Sequence, residues 1–361
     1  MDVLFVIAQL NGGGSQNVLK QVAESLFHKG KKVSILNLDR NNINQINIPK
    51  EINIIGQDKL NYWFRKFNFI YEIIFIRNVL KKNKPKIVFS FIARTNIILI
   101  LASINLYTKV YISERNDPKK QNIGYIKNIL RRYLYNYANV VTYNSKNAFK
   151  ELNNYVNESK LVYLPNPIKQ DIKIINNDLS NHNNKKWNFL FIGKIDYQKG
   201  IDILIKAFNL VSNKISESSL NIVGDSYNDY KRELELLEKK FELKNIKWSD
   251  YQSGISEIFE ESDIFILPSR YEGAPNVLLE AISWGKPIIC SDGIDEAFYY
   301  LKDNYSALFF KNENYHDLAN KMYLLATDTE LKNKLIENVK KTDLSEHISA
   351  LNTWYEKLFN G

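Results

Sequence analysis

The sequence of 361 residues contains a single cysteine, Cys290. An internal disulfide is therefore excluded, and this cysteine usage fits a protein of a reducing compartment. Cys290 ends the apolar run PIIC, which is typical of a buried strand rather than of a reactive thiol. The sequence also lacks an uninterrupted apolar run of about 18 residues, so no transmembrane helix is expected. Its first eight residues contain Asp2 and no basic residue, unlike a signal peptide, and we expect a cytoplasmic protein.

Histidine is also scarce, and its placement argues against metal chemistry. The four histidines lack metal-ligand spacing and are expected to be peripheral: His28, His182, His316 and His347. The sequence shows no Ser-His-Asp or Cys-His arrangement, no Walker phosphate loop and no Asp-x-Asp pair at a predicted strand end. We therefore expect no bound metal ion and no other cofactor.

The residues that are abundant describe a globular protein of two domains. Hydrophobic residues make up 45% of the chain and charged residues 25%, which is typical of globular proteins. A chain of this length has enough residues for two cores. The net charge of +9 is uneven, because residues 1–170 carry +16 and residues 171–361 carry −7. This asymmetry indicates two domains with different partners.

Two basic segments concentrate the positive charge. Residues 59–86 combine eight cationic side chains and several aromatics with one acidic residue, and residues 119–132 contain five cationic and no acidic side chains. Basic aromatic helices suit an anionic membrane surface. Nucleic acid is the competing partner, but no helix-turn-helix, zinc or RNA-binding motif is present. A core-packing helix with a solvated basic face is a further interpretation of each segment.

Apolar, β-branched runs alternate with helix-like segments along the whole sequence. This pattern predicts an α/β fold with doubly wound parallel sheets covered by helices on both faces. The predicted strands are 3–8, 32–38, 86–91, 110–113, 140–144, 161–164, 189–193, 220–223, 246–248, 264–267 and 287–290. The first helix is predicted over 16–29 and ends at Gly30.

Two prolines, Pro165 and Pro167, mark the boundary between the predicted domains. They follow the sixth predicted strand, and a polar stretch precedes the next strand. We predict a Rossmann-like domain over residues 1–168, a linker near 168–186, and a second Rossmann-like domain over 187–340. The remaining residues, 341–361, are predicted to form a packing helix.

The most informative stretch is residues 269–285, SRYEGAPNVLLEAISWG. It follows a predicted buried strand, and Pro275 is expected at the first position of a helix, where its missing N–H costs nothing. The next three residues would offer unpaired N–H groups to an anion: Asn276, Val277 and Leu278. Glu272 and Glu280 flank this site at about 12 Å, taking ~1.5 Å per helical residue. A nucleotide sugar has this layout, whereas a loop and helix with two solvated glutamates is the alternative.

Two loops after predicted strands add candidate phosphate-binding groups. Gly12 to Gly14 open the first helix, where glycine allows close approach of a ligand to the backbone. In the dinucleotide-binding motif G-x-G-x-x-G, Asn17 stands where the third glycine belongs, so the motif is not matched. Asp39, near the end of the second predicted strand, leaves a nicotinamide site as an alternative. In the second predicted domain, Lys194 and Lys199 lie after a strand, where α/β proteins bind ligands. They would stabilise a leaving diphosphate, and exposed lysines without a function are the alternative.

These motifs together resemble those of glycosyltransferase family 4, the retaining enzymes of GT-B fold, over nearly the whole chain. Glu272 and Glu280 match the family's E-x7-E motif. The stretch GKIDYQKG is similar to the family's lysine loop, with Lys194 in place of arginine. Ser15-Gln16-Asn17 stands where the family often has Ala-Glu-Arg. Residues 112–118, ISERNDP, resemble members that build bacterial surface polysaccharides, and Arg115 stands where relatives often carry histidine.

The resemblance implies two Rossmann-like domains that face each other across a cleft, and it implies roles for the matching residues. Glu280 would bind the ribose, Glu272 the donor sugar, and a loop at 248–251 would border the base. The implied donor-binding residues are Gly13, Gly14, Gly193, Lys194, Lys199, Trp248, Tyr251, Glu272, Gly273, Ala274, Pro275, Asn276, Val277, Leu278 and Glu280. The implied catalytic residues are Glu272, Lys199, Lys194 and Arg115. The implied acceptor-side residues are Glu114, Arg115 and Asn116.

The activity that the resemblance implies is retaining transfer of a hexose or N-acetylhexosamine. The donor would be a nucleoside-diphosphate sugar, most simply a UDP-sugar. The acceptor would be a polyprenyl-pyrophosphate-linked saccharide of O-antigen or capsule assembly, at the cytoplasmic face of the inner membrane. Departures from the family at Lys194, Gln16, Asn17 and Arg115 leave one alternative, a catalytically silent nucleotide-sugar-binding partner of another transferase.

Overall fold

The computed structural model describes residues 1–10, 13–39, 47–56, 68–168, 187–226, 229–250 and 256–359. The chain divides into two compact units. The first unit is Met1–Pro167 with Glu346–Gly361, and the second unit is Ile168–Ser345. The predicted linker beyond Ile168, Gly12, Tyr251 and the first nine residues of the basic segment 59–86 lie outside the described residues.

The described part of the first unit contains a parallel sheet of seven strands. Strands β1 to β7 are Val3–Ile7, Val33–Asn37, Asn53–Gly56, Ile87–Phe91, Lys109–Glu114, Val140–Tyr143 and Leu161–Tyr163. Helices α1 to α5 are Gly14–His28, Asn68–Asn83, Ala93–Ser103, Tyr125–Leu134 and Lys146–Leu152. The strand order is β3-β2-β1-β4-β5-β6-β7, so the chain reverses direction across the sheet between β1 and β4.

Alternating side chains of the central strands build two cores in this unit. Phe5 and Phe89 point to the face that α1 covers. Leu4 and Val88 point to the opposite face, which α2 to α5 cover. This alternation follows from the two-residue period of a strand, and because both faces are covered the strands are mostly apolar.

The described part of the second unit contains a parallel sheet of six strands, in the order β10-β9-β8-β11-β12-β13. Strands β8 to β13 are Trp187–Ile192, Ser218–Val223, Ile246–Ser249, Ile264–Leu267, Ile288–Ser291 and Leu308–Phe310. Helices α6 to α12 are Ile201–Ser212, Tyr230–Lys240, Ser256–Glu261, Asn276–Ser283, Ala297–Tyr300, Tyr315–Thr327 and Thr329–Val339. One core lies between the sheet and α6, α7, α11 and α12, and the other between the sheet and α8, α9 and α10.

Two further helices, α13 (Ser345–Ile348) and α14 (Ala350–Phe359), follow in the chain. The apolar side of α14 packs beside α1, on the sheet of the first unit, through Ala350, Trp354 and Leu358. Trp354 is fully buried. The C-terminal segment thus contributes to the core of the unit with which the chain begins.

All eleven strands predicted from the apolar runs are present, and the first helix lies within two residues of its predicted start and one of its end. The predicted α/β fold of two doubly wound, Rossmann-like domains is confirmed. The pattern missed β3 and β13, which lie at the edges of the two sheets and are only four and three residues long. No helix in the described part of the chain is long and apolar enough to cross a membrane.

Candidate functional site

Two loops of the second unit meet at the point where its strand order reverses. One loop follows β8 and contains a short 3-10 helix, Tyr197–Lys199. The other follows β11 and leads into α9. Strands β8 and β11 are hydrogen-bonded neighbours, so both loops leave the same edge of the sheet side by side. Ligands of doubly wound proteins bind at this kind of reversal, outside the carboxyl ends of the strands.

A lysine-glutamate ion pair joins the two loops. Nζ of Lys199 donates to Oε1 of Glu272 at 2.5 Å, and both side chains are largely shielded from solvent. The Ser269 hydroxyl donates to the same oxygen at 2.7 Å. Oε2 of Glu272 accepts a longer bond of 3.4 Å from the Gln198 amide. The structure thus brings together two of the predicted site residues, each fixed by neighbours that the sequence analysis did not single out.

The backbone of this region needs glycine at Gly200, between the 3-10 helix and α6. Gly200 has φ of 67°, in the left-handed region. A Cβ atom there would lie 2.1 Å from the Pro268 carbonyl oxygen, which is closer than atoms can approach. Asp196 caps the 3-10 helix, with its Oδ1 accepting from the Lys199 N–H at 3.3 Å. These local features hold the Lys199 backbone against the loop that carries Glu272.

Arg270 connects the same two loops from the other side. It donates to both carboxylate oxygens of Asp202 at 2.9 Å, to the Tyr197 carbonyl at 2.6 Å and to Glu313 at 2.8 Å. Its guanidinium carbon lies 3.7 Å from the centre of the Tyr197 ring. Burial by itself raises the pKa of Asp202, but hydrogen bonds and charge from Arg270 outweigh it, and the pKa lies below its usual range.

Removing Arg270 is expected to destabilise the second unit. Arg270→Met keeps the apolar stem but leaves Asp202 without its bidentate partner, and we expect a loss of about 2–3 kcal/mol in the free energy of unfolding. The matched control is Lys206→Met, because Lys206 pairs with the same Asp202 at 3.9 Å and is 39% exposed, so less than about 0.5 kcal/mol is expected. Urea unfolding followed by circular dichroism measures both variants, and equal losses would contradict the role of Arg270.

Helix α9 begins one residue later than predicted. Pro275 is the N-cap, with φ of −73° and ψ of 111°, and Asn276 is the first helical residue. The expected free N–H of Leu278 is also wrong, because this group donates to the Pro275 carbonyl at 3.1 Å. Val277 occupies the second helical position, where the helix itself supplies no acceptor for an N–H. Gly273 and Ala274 form the turn that leads from Glu272 to this helix start.

Three other predicted donor residues of the second unit lie on α9 or directly after β8. Glu280 is the fifth residue of α9 and is partly buried. Lys194 follows β8, and its side chain is 50% exposed and lies 3.7 Å from Asp196. Gly193 donates its N–H to the Val223 carbonyl at 3.0 Å. Lys194 is thus the more solvated of the two predicted lysines.

Trp248 lies on strand β10, as the apolar pattern over 246–248 predicted, although the resemblance implied a loop from this residue to position 251. Its indole N–H donates to Glu238 of α7 at 2.7 Å, and the Lys231 ammonium lies 5.8 Å from the ring centre. The side chain therefore packs against α7, a helix that covers the sheet. The implied contact between Trp248 and a base stays a prediction.

In the first unit, the predicted glycine turn lies at the carboxyl end of β1. Gly13 is the N-cap of α1, and Gly14 is its first residue. A Cβ at Gly13 would lie 2.5 Å from the Gln16 side-chain oxygen. Asp39, which kept a nicotinamide site as an alternative, accepts a hydrogen bond from Gln9 at 3.3 Å. The α1 N-terminus therefore lies beside the reversal between β1 and β4.

Glu114 lies inside the first unit, so its carboxylate does not line a surface for an acceptor as expected. It is 1% exposed and accepts from the Tyr135 hydroxyl at 3.0 Å, with Arg131 at 3.8 Å. Burial raises the pKa of Glu114, and the charge of Arg131 and the bond from Tyr135 oppose that rise. This carboxylate positions helix α4, which carries Arg131. The neighbouring Asn116 accepts from the Asp117 N–H through its side chain at 2.9 Å.

Arg115 lies beside the last residues of the first sheet. Its guanidinium donates to the Leu164 carbonyl at 3.2 Å and to the Asn166 side chain, and it lies 5.6 Å from the Trp354 ring centre. Burial lowers the pKa of Arg115 to about 9, which leaves it protonated at neutral pH and unable to act as a base. His347 is buried, not peripheral as expected, and its Nδ1 lies 2.8 Å from the Asn166 carbonyl oxygen.

The described site offers the ammonium groups of Lys199 and Lys194, the fixed carboxylate of Glu272 and the N-terminus of α9. Within the described ranges no group of three or more histidine, cysteine, aspartate or glutamate side chains is arranged to hold a metal ion. Sequence reasoning missed Ser269, Gln198 and Arg270, although the first and last lie inside the most informative stretch. Their signal was position alone, because Gln198 precedes Lys199, and Ser269 and Arg270 lie three and two residues before Glu272.

Comparison with known proteins finds glycosyltransferases among the similar sequences. Residues 174–342 match the family model for glycosyl transferases group 1. The chain is 26% identical to a GalNAc-α-(1→4)-GalNAc-α-(1→3)-diNAcBac-PP-undecaprenol α-1,4-N-acetyl-D-galactosaminyltransferase of Campylobacter jejuni, over 99% of this chain and 98% of that one.

Solved structures share the fold at low sequence identity. A sucrose-phosphate synthase from Thermosynechococcus elongatus superposes with a TM-score of 0.80 at 15% identity, and Anabaena Alr3699/HepE in complex with UDP and glucose with a TM-score of 0.79 at 14% identity. Both alignments cover 100% of each chain. The chain is therefore a glycosyltransferase of GT-B fold whose residues 174–342 match the group 1 glycosyltransferases, and these findings are consistent with the resemblance to family 4.

Proposed function

We propose that this glycosyltransferase moves a hexose or N-acetylhexosamine, with retention of configuration, from a UDP-sugar to a polyprenyl-pyrophosphate-linked saccharide. The observation that carries the donor half of this proposal is the Lys199–Glu272 pair beside the start of α9. The acceptor half is supported by the Campylobacter jejuni relative, whose name specifies an undecaprenol-PP-linked saccharide. The solved structure with UDP and glucose supports the choice of UDP.

The Lys199–Glu272 pair offers complementary groups to the two ends of a sugar phosphate. Glu272 uses Oε1 for two short bonds, so Oε2, with its single long bond from Gln198, has lone pairs left for a sugar hydroxyl. The Lys199 ammonium has three N–H donors, and its bond to Glu272 uses one of them. The remaining donors, with the N-terminus of α9, suit the diphosphate. These capacities support the proposal that the second unit binds the donor.

In the proposed reaction, an acceptor hydroxyl attacks the anomeric carbon on the face from which the diphosphate departs. The bond between that carbon and the phosphate oxygen breaks, and the hydroxyl proton passes to the departing phosphate. Lys199 stabilises the negative charge that develops on the diphosphate, with Lys194 as a weaker, more solvated contributor. Because its guanidinium is protonated, Arg115 contributes positive charge on the acceptor side and does not act as a base.

The acceptor is assigned to the first unit in this proposal. Residues 1–170 carry a net charge of +16, which suits a pyrophosphate and the anionic membrane in which its polyprenyl chain is inserted. We accordingly place the enzyme at the cytoplasmic face of the inner membrane, as a peripheral protein of surface-polysaccharide assembly. The glycine turn at Gly13 and the N-terminus of α1 are proposed to face phosphate groups.

A ribose contact by Glu280 predicts a specific loss of donor affinity. Glu280→Gln should weaken UDP binding about tenfold, because a charge-assisted hydrogen bond to a ribose hydroxyl becomes a neutral one. UDP whose ribose lacks the 2′ and 3′ hydroxyls should bind the variant and the unaltered enzyme equally. Titration calorimetry measures all four affinities, with Glu257→Gln on the exposed side of α8 as the charge-matched control. Equal affinity of Glu280→Gln and the unaltered enzyme for UDP would remove Glu280 from the ribose site.

The proposed function as a whole is tested by a donor screen with a synthetic polyprenyl-pyrophosphate disaccharide. UDP- and GDP-linked hexoses and N-acetylhexosamines are supplied one at a time, and nucleotide release is compared with and without acceptor. We expect acceptor-dependent release with one or a few UDP-sugars and a product of retained anomeric configuration by NMR. Inversion of configuration would reject the retaining mechanism, and turnover only with acceptors that lack the lipid diphosphate would reject the acceptor class.

A further inference from the structure

We propose that one exposed face of helix α4 is the surface by which this enzyme docks on an anionic lipid bilayer. This inference rests on the proposed lipid-linked acceptor and adds the part of the molecule that meets the membrane. The face consists of Tyr125, Ile126, Ile129 and Tyr133, which are 81%, 72%, 37% and 74% exposed. Tyr137, one turn beyond the helix, is 72% exposed. We call these five residues, the four on α4 together with Tyr137 after it, the α4 face.

The α4 face is a continuous stripe rather than a set of scattered side chains. Tyr125, Ile129 and Tyr133 follow one another at intervals of four residues, and neighbours at that spacing lie on the same side of a helix. Ile126 lies beside them, about 100° from Tyr125 around the helix axis. Isolated exposed apolar residues are ordinary on a protein surface, but a stripe along a whole helix marks an interaction site.

The opposite side of α4 holds the stripe in its outward orientation. Arg131 is 3% exposed and donates to the Pro118 carbonyl at 2.5 Å and to Asn128 at 2.9 Å, and it lies 3.8 Å from Glu114. Leu130 and Leu134 pack against the core of the first unit. A rotation of the helix that buried the α4 face would place the Arg131 guanidinium in solvent and leave Glu114 buried and unpaired, which is costly.

The positive charge around the α4 face indicates that its partner is an anionic lipid surface. Residues 119–134 contain five cationic and no acidic side chains. Lys119 and Lys120 are exposed just before the helix, and Arg132 is exposed within it, although it also pairs with Glu151 at 3.5 Å. Tyrosine and isoleucine with flanking lysine and arginine match the boundary between lipid headgroups and acyl chains. A second copy of this chain would bring two such basic segments against each other.

The length of α4 fits a helix that lies in the membrane surface. Ten residues span about 15 Å, half of what is needed to cross the hydrocarbon core. The stripe would enter the boundary region while the buried side of α4 remains attached to the protein. Docking in this way would bring the first unit to the surface at which a lipid-linked acceptor is presented.

Vesicle sedimentation tests the docking surface directly. Ile126→Asp combined with Tyr133→Asp should weaken binding to phosphatidylcholine vesicles that contain phosphatidylglycerol by about 100-fold. The reason is that two side chains that would be buried in the bilayer are lost. The control is Leu236→Asp, an equally drastic change at a 59% exposed leucine of α7, which should leave vesicle binding unaltered. Lys119→Gln combined with Lys120→Gln should cost about fivefold per cation and reduce the salt dependence. Vesicle binding by the Ile126→Asp, Tyr133→Asp variant equal to that of the unaltered enzyme would overturn the proposal.

A fluorescent label reports insertion at the stripe itself. Because the chain has one cysteine, the fully buried Cys290, Ile126→Cys introduces a single reactive thiol for an environment-sensitive fluorophore. Its emission should shift to shorter wavelength with anionic vesicles and remain unshifted with phosphatidylcholine alone. The same label at Leu236→Cys should not shift. A shift produced by raising the protein concentration without lipid would instead identify a second copy as the occupant and reject the membrane.

Failure of the docking surface is distinguishable from failure of the proposed function. The Ile126→Asp, Tyr133→Asp variant should transfer sugar to a short-chain, water-soluble acceptor at the rate of the unaltered enzyme. It should lose at least about 90% of its rate on the same acceptor headgroup embedded in vesicles, since it no longer concentrates there. Equal rates on both acceptors would overturn the docking proposal. If the unaltered enzyme bound vesicles but transferred sugar to neither acceptor, this result would support docking and reject the acceptor class.

Discussion

Lys199→Ala is expected to lower kcat for sugar transfer by about 10²- to 10³-fold, which corresponds to about 2.7–4 kcal/mol of lost transition-state stabilisation. The physical reason is the position of the ammonium, which is largely shielded from water and fixed by Glu272 at 2.5 Å. Charge develops on the diphosphate only as the sugar departs, so the loss should appear mainly in kcat rather than in KM. Initial rates of nucleotide release at saturating acceptor measure both constants.

Two controls separate this effect from damage to the site. Lys214→Ala removes an exposed lysine two residues after α6 and should leave kcat unaltered. Lys194→Ala removes the half-exposed lysine of the same loop and should lower kcat by less than about tenfold, because solvent screens its charge. The thermal midpoint of each variant checks the fold. A Lys199→Ala enzyme with normal turnover would mean that another group neutralises the diphosphate.

Trp354→Ala is expected to cost the first unit about 3–5 kcal/mol of its free energy of unfolding. The indole is fully buried, stacks on Phe91 at 6.0 Å and donates to the Pro165 carbonyl at 2.9 Å. Its removal leaves a cavity between α14 and the sheet and an unpaired carbonyl. Because two compact units need not unfold together, hydrogen exchange of the amides in β4 and α14 is the appropriate measurement.

Graded variants assign the loss to its causes. Trp354→Phe retains most of the packing but cannot donate to Pro165, so about 1 kcal/mol is expected. Glu356→Ala, on the exposed side of the same helix, should stay within about 0.5 kcal/mol of the unaltered protein. Protection of β4 that is unchanged in Trp354→Ala would show that α14 does not stabilise the first unit.

The central strands were predictable because they are buried on both faces. Val3–Ile7 and Ile264–Leu267 are apolar at every position, a pattern that parallel strands require and that short loops do not show. The edge strand Asn53–Gly56 was missed because it is half exposed, and its Asn and Gly residues are typical of turns. A strand that is buried on both faces has a continuous apolar pattern in the sequence. An edge strand forms because it pairs with one neighbouring strand, and that pairing leaves no such pattern.

The candidate site was predictable only where chemistry coincided with a strand end. Lys199 and Glu272 were selected because each follows an apolar run, at the edge where α/β proteins bind ligands. Arg270 was not selected, although it donates to Asp202, Glu313 and the Tyr197 carbonyl. Its partners lie 43 to 73 residues away along the chain, and nothing local indicates a pairing at that separation.

Glu114 shows the opposite error, and Trp248 makes contacts that the resemblance did not indicate. Both lie at or near strand ends and were given ligand contacts through the resemblance. In the structure, Glu114 faces Arg131 and Tyr135 inside the first unit, and Trp248 faces Glu238 on a covering helix. The direction of a side chain depends on which helix packs over the strand end, and a motif does not record that choice.

The sequence by itself determined the class of fold, the order of nearly all strands along the chain and the two loops that carry Lys199 and Glu272. Hydrophobic periodicity and loop position are local, so they can be read without knowing which elements meet. Tertiary structure alone decided that Lys199 lies on Glu272, that Trp354 completes the core of the first unit and that α4 presents its tyrosines outward. Each of these depends on contacts between elements distant in the chain, whose pairing is decided by the packing of the folded protein.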